Sequence, residues 1–157
     1  MADFARSGIA RIKRPRLDRL TQSYTAAQLA KRYGFPTIHT SGAPKVWVAI
    51  IELGGGHSMT DLSAYCAQVG IPVPQVVELS VRGATNQYTG DPNSADGEVA
   101  LDVQNVTGAT GGQVGIILIW CPNDAMGIAD GFKMAAQDGR ASSVSLSWGQ
   151  NEGGWDA

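Results

Sequence analysis

The hydrophobic positions of the chain fall into four runs that predict β-strands. Residues 45–52 and 113–120 are almost continuously apolar and rich in β-branched side chains, which is typical of strands covered on both faces. Residues 75–82 alternate apolar and polar side chains, and this alternation predicts a half-buried strand. A fourth strand is predicted over residues 142–148.

Helical patterns alternate with these strands. The predicted helices cover residues 25–33, 58–69, 96–107 and 124–137. Thr25 has the chemistry of an N-cap, and Gly34 and Gly70 are glycines of the kind that end helices. Because strands and helices alternate along one chain, the sequence predicts an α/β sandwich with a mostly parallel sheet and right-handed connections.

Charge divides the chain into a basic leader and an acidic body. Residues 1–32 hold eight of the 12 Lys and Arg residues and two of the 14 acidic residues. We expect residues 1–23 to be a basic linker or the remnant of a prosegment connector, ahead of a folded unit over residues 24–157. A nucleic-acid-binding arm or a targeting segment is the alternative. The leader has no recognition-helix pattern, and no apolar run suggests a membrane span, so neither nucleic acid nor membrane is expected as a partner.

The cysteines and histidines do not have the spacing of metal ligands. Cys66 and Cys121 lie in contexts that favour core packing, and a disulfide between them stays open. His39 and His57 are isolated in segments rich in Gly, Ser and Thr, where a histidine is more often a surface or turn residue than a ligand. No metal site is predicted.

Two carboxylates are the strongest candidates for chemistry. Glu98 and Asp102 are four positions apart, and on a helix this spacing places both on one face. Most such pairs are only solvated surface, but Val99 and Leu101 beside them indicate a helix packed on the sheet. Two like charges so close share a proton, and a carboxylate can act as a base in an acidic medium.

A second acid and a tryptophan segment also lie at predicted strand ends. Glu52 ends a predicted strand, at the edge where α/β sheets bind their ligands. Residues 145–149 end the last strand, and Gly149 leaves backbone groups there approachable by an extended peptide. Trp148 would either form the wall of a side-chain pocket or belong to the core.

Three segments occur in an order that resembles a known family. Residues 50–56 read Ile-Ile-Glu-Leu-Gly-Gly-Gly, residues 97–102 read Gly-Glu-Val-Ala-Leu-Asp, and residues 144–149 read Val-Ser-Leu-Ser-Trp-Gly. In this order they resemble the sedolisin, or serine-carboxyl, peptidases, and in particular the kumamolisin-like members. The similarity covers nearly all of residues 24–155 and includes Gly-Ala-Thr-Asn-Gln at residues 83–87.

The resemblance implies a fold, an activity and roles for particular residues. The fold would be a subtilisin-like three-layer sandwich, and the activity would be that of a serine-type endopeptidase working at acidic pH. Glu98 would be the general base that takes the proton of a nucleophilic serine, and Asp102 would orient and polarise it. Glu52 and Trp148 would extend the hydrogen-bond network around them. The residues implied to line the substrate cleft are Ser147, Trp148 and Gly149.

Other parts of the family pattern cannot be placed in this sequence. They are an aspartate of the oxyanion hole, the Gly-Thr-Ser motif that carries the nucleophile, and a calcium site, all in the C-terminal part of the catalytic domain. We therefore expect a truncated, N-terminal portion of that domain, without a cofactor, that cleaves no protein alone. Its partners would be a peptide or protein substrate and a complementary C-terminal chain. Without that part, apolar surface around Ile116 and Leu118 is expected to be exposed.

Two other functions stay open. A non-catalytic remnant of the same fold would keep the peptide-binding edge and act as an interaction protein. A nucleotide-binding domain is suggested by Gly54, Gly55 and Gly56, but Met59 stands where a dinucleotide fingerprint needs glycine, and no P-loop ending follows. The location of the protein is not determined, because the family is typically secreted whereas no signal peptide is visible here.

Overall fold

The computed structural model describes residues 24–39, 41–44 and 46–149. The predicted basic leader and the end of the family similarity near residue 155 lie outside the described residues. All four predicted helices and all four predicted strands are present. In chain order the elements are α1 (Ala26–Arg32), β1 (Trp47–Glu52), α2 (Met59–Val69), β2 (Val76–Ser80), α3 (Ala95–Ala109), β3 (Gly115–Trp120), α4 (Ala125–Asp138) and β4 (Ala141–Ser145).

The four strands form one sheet in the order β2-β3-β1-β4, and every pairing is parallel. Glu52 at the end of β1 and Ser80 at the end of β2 are both level with Trp120 at the end of β3. The carboxyl ends of these three strands therefore lie along one edge, which is the edge where sheets of this kind bind ligands. The prediction of a mostly parallel α/β sheet is confirmed.

Helices cover both faces of the sheet and make the fold a three-layer sandwich. On one face, Ile51 and Ile119 pack with Ile128 and Ala135 of α4. The other face packs against α2 and α3, and the buried residues there are Ile50, Leu62, Cys66, Val99, Val103, Ile116, Leu118 and Trp120. The predicted sandwich architecture is therefore confirmed.

The expectation that Ile116 and Leu118 would be exposed is wrong. Both side chains are 0% exposed, because β3 lies between β2 and β1 and its outer faces are covered by helices. Burial of side chains of this size stabilises a fold by about 1.5–3 kcal/mol each. The described part of the chain thus has a complete core around β3.

The helices begin where their capping side chains predict. Thr25 accepts a hydrogen bond from the backbone of Gln28, whose side chain accepts one from the Thr25 backbone, so the two form a capping box. Ser94 caps α3, the helix that carries the candidate carboxylates. Gly70 ends α2 in a left-handed conformation at φ 74°. Within the described ranges, no helix combines the length and the apolar character that a membrane span requires.

The fourth strand is shorter than predicted. Its pairing with β1 ends at Ser145, opposite Ile50, whereas the sequence predicted a strand up to residue 148. Beyond that point, Ser147 and Trp148 direct their polar atoms to side chains of α3 and β1. Long-range side-chain hydrogen bonds, not a continued ladder, therefore position this segment.

The two cysteines are not paired. Cys66 packs in the core between the sheet and α2, and Cys121 packs in the core on the α4 side. Both are buried free thiols, and the sheet separates them. The favoured role in core packing is confirmed.

Candidate active site

Three carboxyl groups come together at the carboxyl edge of the sheet. Glu52 is the last residue of β1 and is 0% exposed. Glu98 and Asp102 lie one turn apart on α3, and both are half-buried. The three groups, called here the carboxyl cluster, are close enough to interact electrostatically. β1 and α3 position them, because α3 packs on the face of the sheet next to β1.

Glu52 is held by the indole of Trp148. The indole Nε1 donates a hydrogen bond of 2.9 Å to Oε2 of Glu52, whereas Oε1 is buried and has no hydrogen-bond partner among the described residues. Burial raises the pKa of Glu52 to about 8, the indole hydrogen bond lowers it, and the charges of Asp102 and Glu98 raise it. Glu52 therefore carries a proton at acidic and neutral pH.

Asp102 is held by the residue before that tryptophan. Ser147 Oγ donates a hydrogen bond of 2.8 Å to Oδ1 of Asp102, and Oδ2 is buried without a partner in the described ranges. Burial raises the pKa of Asp102, and the Ser147 hydroxyl partly offsets this. Burial and then the charge of Asp102 raise the pKa of Glu98 as well.

This arrangement can hold and release protons as a unit. Glu52 Oε1 and Asp102 Oδ2 are buried and have no donor among the described residues, and a protonated Glu52 carries an O–H that can donate a hydrogen bond. Carboxyl groups coupled in this way titrate together and not as independent residues. Because their pKa values are raised, these carboxylates are stronger bases than ordinary carboxylates and accept a proton more readily.

The segment beyond β4 is open to solvent on one side. Ser147 and Gly149 are exposed, whereas Trp148 is half-buried against the core on the α4 side. No atom lies within 4 Å of the position that a Cβ on Gly149 would occupy. The structure thus brings Ser147 into contact with Asp102 and Trp148 into contact with Glu52, with Gly149 next along the chain. Their roles in catalysis and in substrate binding stay predictions.

Sequence reasoning assigned no role to two residues that build the surroundings of the carboxyl cluster. Asp96 is buried in the first turn of α3 and accepts three hydrogen bonds from the loop before it. Asn86 lies in that loop and bonds to the backbone of His57 through both ends of its amide. The available signal was the high content of Asn, Asp and Gly in residues 83–96.

His57 lies in the connection between β1 and α2, as a turn residue would, but the alternative that it is at the surface is wrong, since the residue is only 8% exposed. Its ring Nε2 lies 3.3 Å from Met59 Sδ, and burial lowers the pKa of the imidazole. In the part of the chain that the structure describes, no group of three or more His, Cys, Asp or Glu residues could hold a metal ion.

Comparisons with known proteins identify peptidases as relatives. The chain is 44% identical over 135 residues to kumamolisin of Bacillus sp. (strain MN-32), which covers 85% of this chain and 24% of the relative. It is 29% identical over 125 residues to sedolisin of Pseudomonas sp. (strain 101), which covers 73% of this chain and 21% of the relative. The chain therefore spans less than a quarter of the length of each curated relative.

A solved structure is also similar. It is that of Pseudomonas sedolisin, a serine-carboxyl proteinase, complexed with two molecules of pseudo-iodotyrostatin; the TM-score is 0.48 at 25% identity, over 66% of this chain and 30% of that chain. No protein-family model matches the sequence. The sequence agreement with kumamolisin and sedolisin shows that this chain belongs to the sedolisin family of serine-carboxyl peptidases and spans part of the length of its relatives.

Proposed function

We propose that the chain supplies the acid–base half of a peptidase site that hydrolyses peptide bonds at acidic pH. One observation carries the proposal. Ser147 and Trp148, adjacent in the segment beyond β4, donate hydrogen bonds to Asp102 and Glu52 respectively. Two hydrogen bonds therefore connect the carboxyl cluster to the segment that is implied to bind substrate.

Within the carboxyl cluster, Glu98 acts as the general base. It is half-buried at the margin of the cluster, and burial together with the charge of Asp102 raises its pKa. A raised pKa lets a carboxylate take up the proton of an attacking hydroxyl and later return it to the leaving group. Asp102 orients Glu98, and Ser147 keeps Asp102 in place.

Glu52 and Trp148 support this pair. Glu52 is neutral below its pKa of about 8, so it adds no third negative charge to the cluster when the other two carboxyl groups ionise. Trp148 fixes one oxygen of Glu52 through its indole and leaves the other oxygen within the cluster.

The substrate is a peptide in extended conformation. It would lie along Ser147, Trp148 and Gly149, where the chain has left the ladder with β1 and its backbone groups are accessible. Main-chain hydrogen bonds to such a segment give affinity without requiring a particular peptide sequence.

These residues contain no Gly-Thr-Ser motif, so the proposal places the nucleophile in the C-terminal part of such a catalytic domain. We propose that a complementary chain with the C-terminal part of such a catalytic domain supplies it, and that this chain alone cleaves no peptide bond. The test is to mix the two polypeptides and to measure hydrolysis of a quenched fluorescent peptide at acidic pH.

Matched variants on α3 show whether restored activity depends on the proposed base. Glu98→Ala should abolish it, whereas Asn105→Ala, which changes an exposed side chain of the same helix, should leave it unchanged. Restored activity that persists in Glu98→Ala would contradict the assignment of the base.

A second candidate is a peptide-binding protein without catalysis. The exposed backbone at Ser147 and Gly149 favours it, because this surface needs no nucleophile to bind a peptide. Binding of extended peptides at low pH by the chain alone, unchanged in Glu98→Ala and Asp102→Ala, would support this function over the first.

A further inference from the structure

Asp96 connects three parts of the molecule that meet beside the carboxyl cluster. Its Oδ2 accepts hydrogen bonds from Thr89 N at 2.7 Å, Thr89 Oγ1 at 2.7 Å and Gly90 N at 2.9 Å. Its own position is in the first turn of α3, two residues before Glu98, and its side chain is 4% exposed. One carboxylate oxygen thus joins the start of α3 to the loop that precedes it.

The same turn of α3 lies against the glycine turn that follows Glu52. A Cβ on Gly55 would lie 2.8 Å from Asp96 N, and a Cβ on Gly56 would collide with the backbone of Tyr88. Only glycine permits such close approach of backbone to backbone. The exit of β1, the start of α3 and the loop before α3 are therefore packed together without intervening side chains.

Asn86 also holds the loop before α3 against the segment that follows β1. Its Oδ1 accepts hydrogen bonds from the backbone N–H groups of His57 at 3.0 Å and Tyr88 at 3.2 Å, and its Nδ2 donates to the His57 carbonyl at 2.9 Å. The loop of residues 83–94 is thus bound through Asn86 to the segment between β1 and α2, and through Thr89 and Gly90 to α3. The loop therefore connects the segment after β1 to the start of α3.

We infer that Asp96 is a positioning residue of the candidate site. Through its hydrogen bonds with Thr89 and Gly90, next to the glycine turn of residues 54–56, it sets the distance between Glu52 on β1 and the two carboxyl groups on α3, Glu98 and Asp102. This inference deepens the proposed function and rests on it for its relevance to catalysis. The geometric relationship itself, however, can be measured without any catalysis.

The lowered pKa of Asp96 allows it to keep its hydrogen bonds to the loop in an acidic medium. Burial alone would raise the pKa of Asp96, but hydrogen bonds from the Thr89 side chain and from the backbone N–H groups of Thr89 and Gly90 outweigh it and leave the pKa below its usual value. The positive end of the α3 dipole also favours a carboxylate in the first turn. Asp96 therefore stays ionised, and keeps these hydrogen bonds, to a lower pH than an ordinary aspartate would.

The test compares carboxyl titrations, followed by carbon-13 NMR, in variants of the whole chain. Asp96→Asn weakens the acceptor of all three hydrogen bonds, and Asp91→Asn is its control, because Asp91 is an exposed acid of the same loop. If the hydrogen bonds of Asp96 set the distances within the carboxyl cluster, their loss separates its members and lets water reach Glu52. The pKa of Glu52 should then fall by about one pH unit or more in Asp96→Asn and stay unchanged in Asp91→Asn.

A second pair of variants decides the matter if Asp96→Asn does not fold. Thr89→Val removes one donor to Asp96 with little change of shape, and Thr89→Ser keeps that donor. We expect Thr89→Val to lower the pKa of Glu52 and Thr89→Ser to leave it unchanged. A folded Asp96→Asn, or in its absence a folded Thr89→Val, whose Glu52 and Asp102 titrate as in the unaltered chain would overturn the inference. A failure of the peptidase assay with Glu52 shifted as expected would count against the proposed function alone.

Discussion

Glu52 and Trp148 are 96 positions apart in the sequence, and the indole Nε1 of Trp148 lies 2.9 Å from Oε2 of Glu52. The bond joins the end of β1 to the segment that follows β4, at an edge of the sheet where Asp102 and Glu98 also lie. A fully buried carboxyl group with one bonded and one unbonded oxygen is costly as an anion. The energetics of this site therefore depend on the protonation of Glu52.

Stability should fall as the pH rises from about 4.5 to about 8. Glu52 has a pKa of about 8 in the fold against an ordinary value of 4.5, so in this window the folded state binds more protons than the unfolded state. The contribution of Glu52 is fully present below 4.5 and is lost as the pH rises through about 8. The loss amounts to a few kcal/mol, since each pH unit of difference is worth about 1.4 kcal/mol.

Chemical denaturation at several pH values measures this effect, with Glu52→Gln as the comparison. Glutamine keeps an acceptor for Trp148 but does not ionise, so the decline in the free energy of unfolding should become much smaller. His57 acts in the opposite direction below its ordinary pKa of 6.5, because burial lowers its pKa, and it does so equally in both proteins. Parallel curves for the two proteins between these pH limits would contradict a raised pKa of Glu52.

Replacing Trp148 by phenylalanine should raise the pKa of Glu52 further. The aromatic ring stays to pack against the core on the α4 side, but the indole donor, which lowers the pKa of Glu52, is lost. Carbon-13 titration of Glu52 in Trp148→Phe checks this. A downward shift in a variant that stays folded would contradict the assignment of the indole as a stabiliser of the anion.

Replacing Ser147 by alanine should raise the pKa of Asp102. The Ser147 hydroxyl is the hydrogen-bond donor that offsets the burial of Asp102, and alanine removes it without adding bulk. Ser147→Thr keeps a hydroxyl and serves as the control. The measurement is again the titration of the Asp102 carboxyl carbon, and identical titrations in Ser147→Ala and the unaltered chain would exclude a contribution from this hydrogen bond.

Local patterns in the sequence were sufficient to predict the elements and the pairing of two site residues. Apolar runs predicted β1 and β3, and alternation of apolar and polar positions predicted β2. Capping residues such as Thr25 and Ser58 lie at the starts of helices, and four-residue spacing placed Glu98 and Asp102 on one helix. All of these depend on neighbours within a few positions of the chain, which is the range over which sequence patterns are informative.

Contacts between distant segments could not be predicted in the same way. The bonds of Ser147 to Asp102 and of Trp148 to Glu52 depend on where β4, α3 and β1 come to lie in space. The shorter β4 has the same origin, because side-chain bonds to α3 and β1 take over where the ladder ends. The burial of His57 follows from the close packing of the glycine turn, which its own segment does not reveal.

Arg82, which lies outside the carboxyl cluster, allows an independent test of the fold. Arg82 follows β2 with a positive φ of 50°, and its guanidinium bonds Asp124 at 2.6 Å and Asp130 at 3.2 Å. These ion pairs are partly exposed and contribute at most about 1 kcal/mol, whereas the left-handed backbone favours glycine. Arg82→Gly should therefore be more stable than Arg82→Ala by about 1 kcal/mol in thermal or chemical denaturation. Equal stabilities would show that residue 82 does not adopt the left-handed conformation.

The central claim is that a protonated Glu52 is part of a coupled carboxyl cluster with Glu98 and Asp102. The most direct measurement is the carbon-13 titration of the Glu52 carboxyl group in the unaltered chain. The account predicts a pKa of about 8, together with a second, smaller response at the pH where Asp102 ionises. A single transition near the ordinary value of 4.5 would contradict the claim.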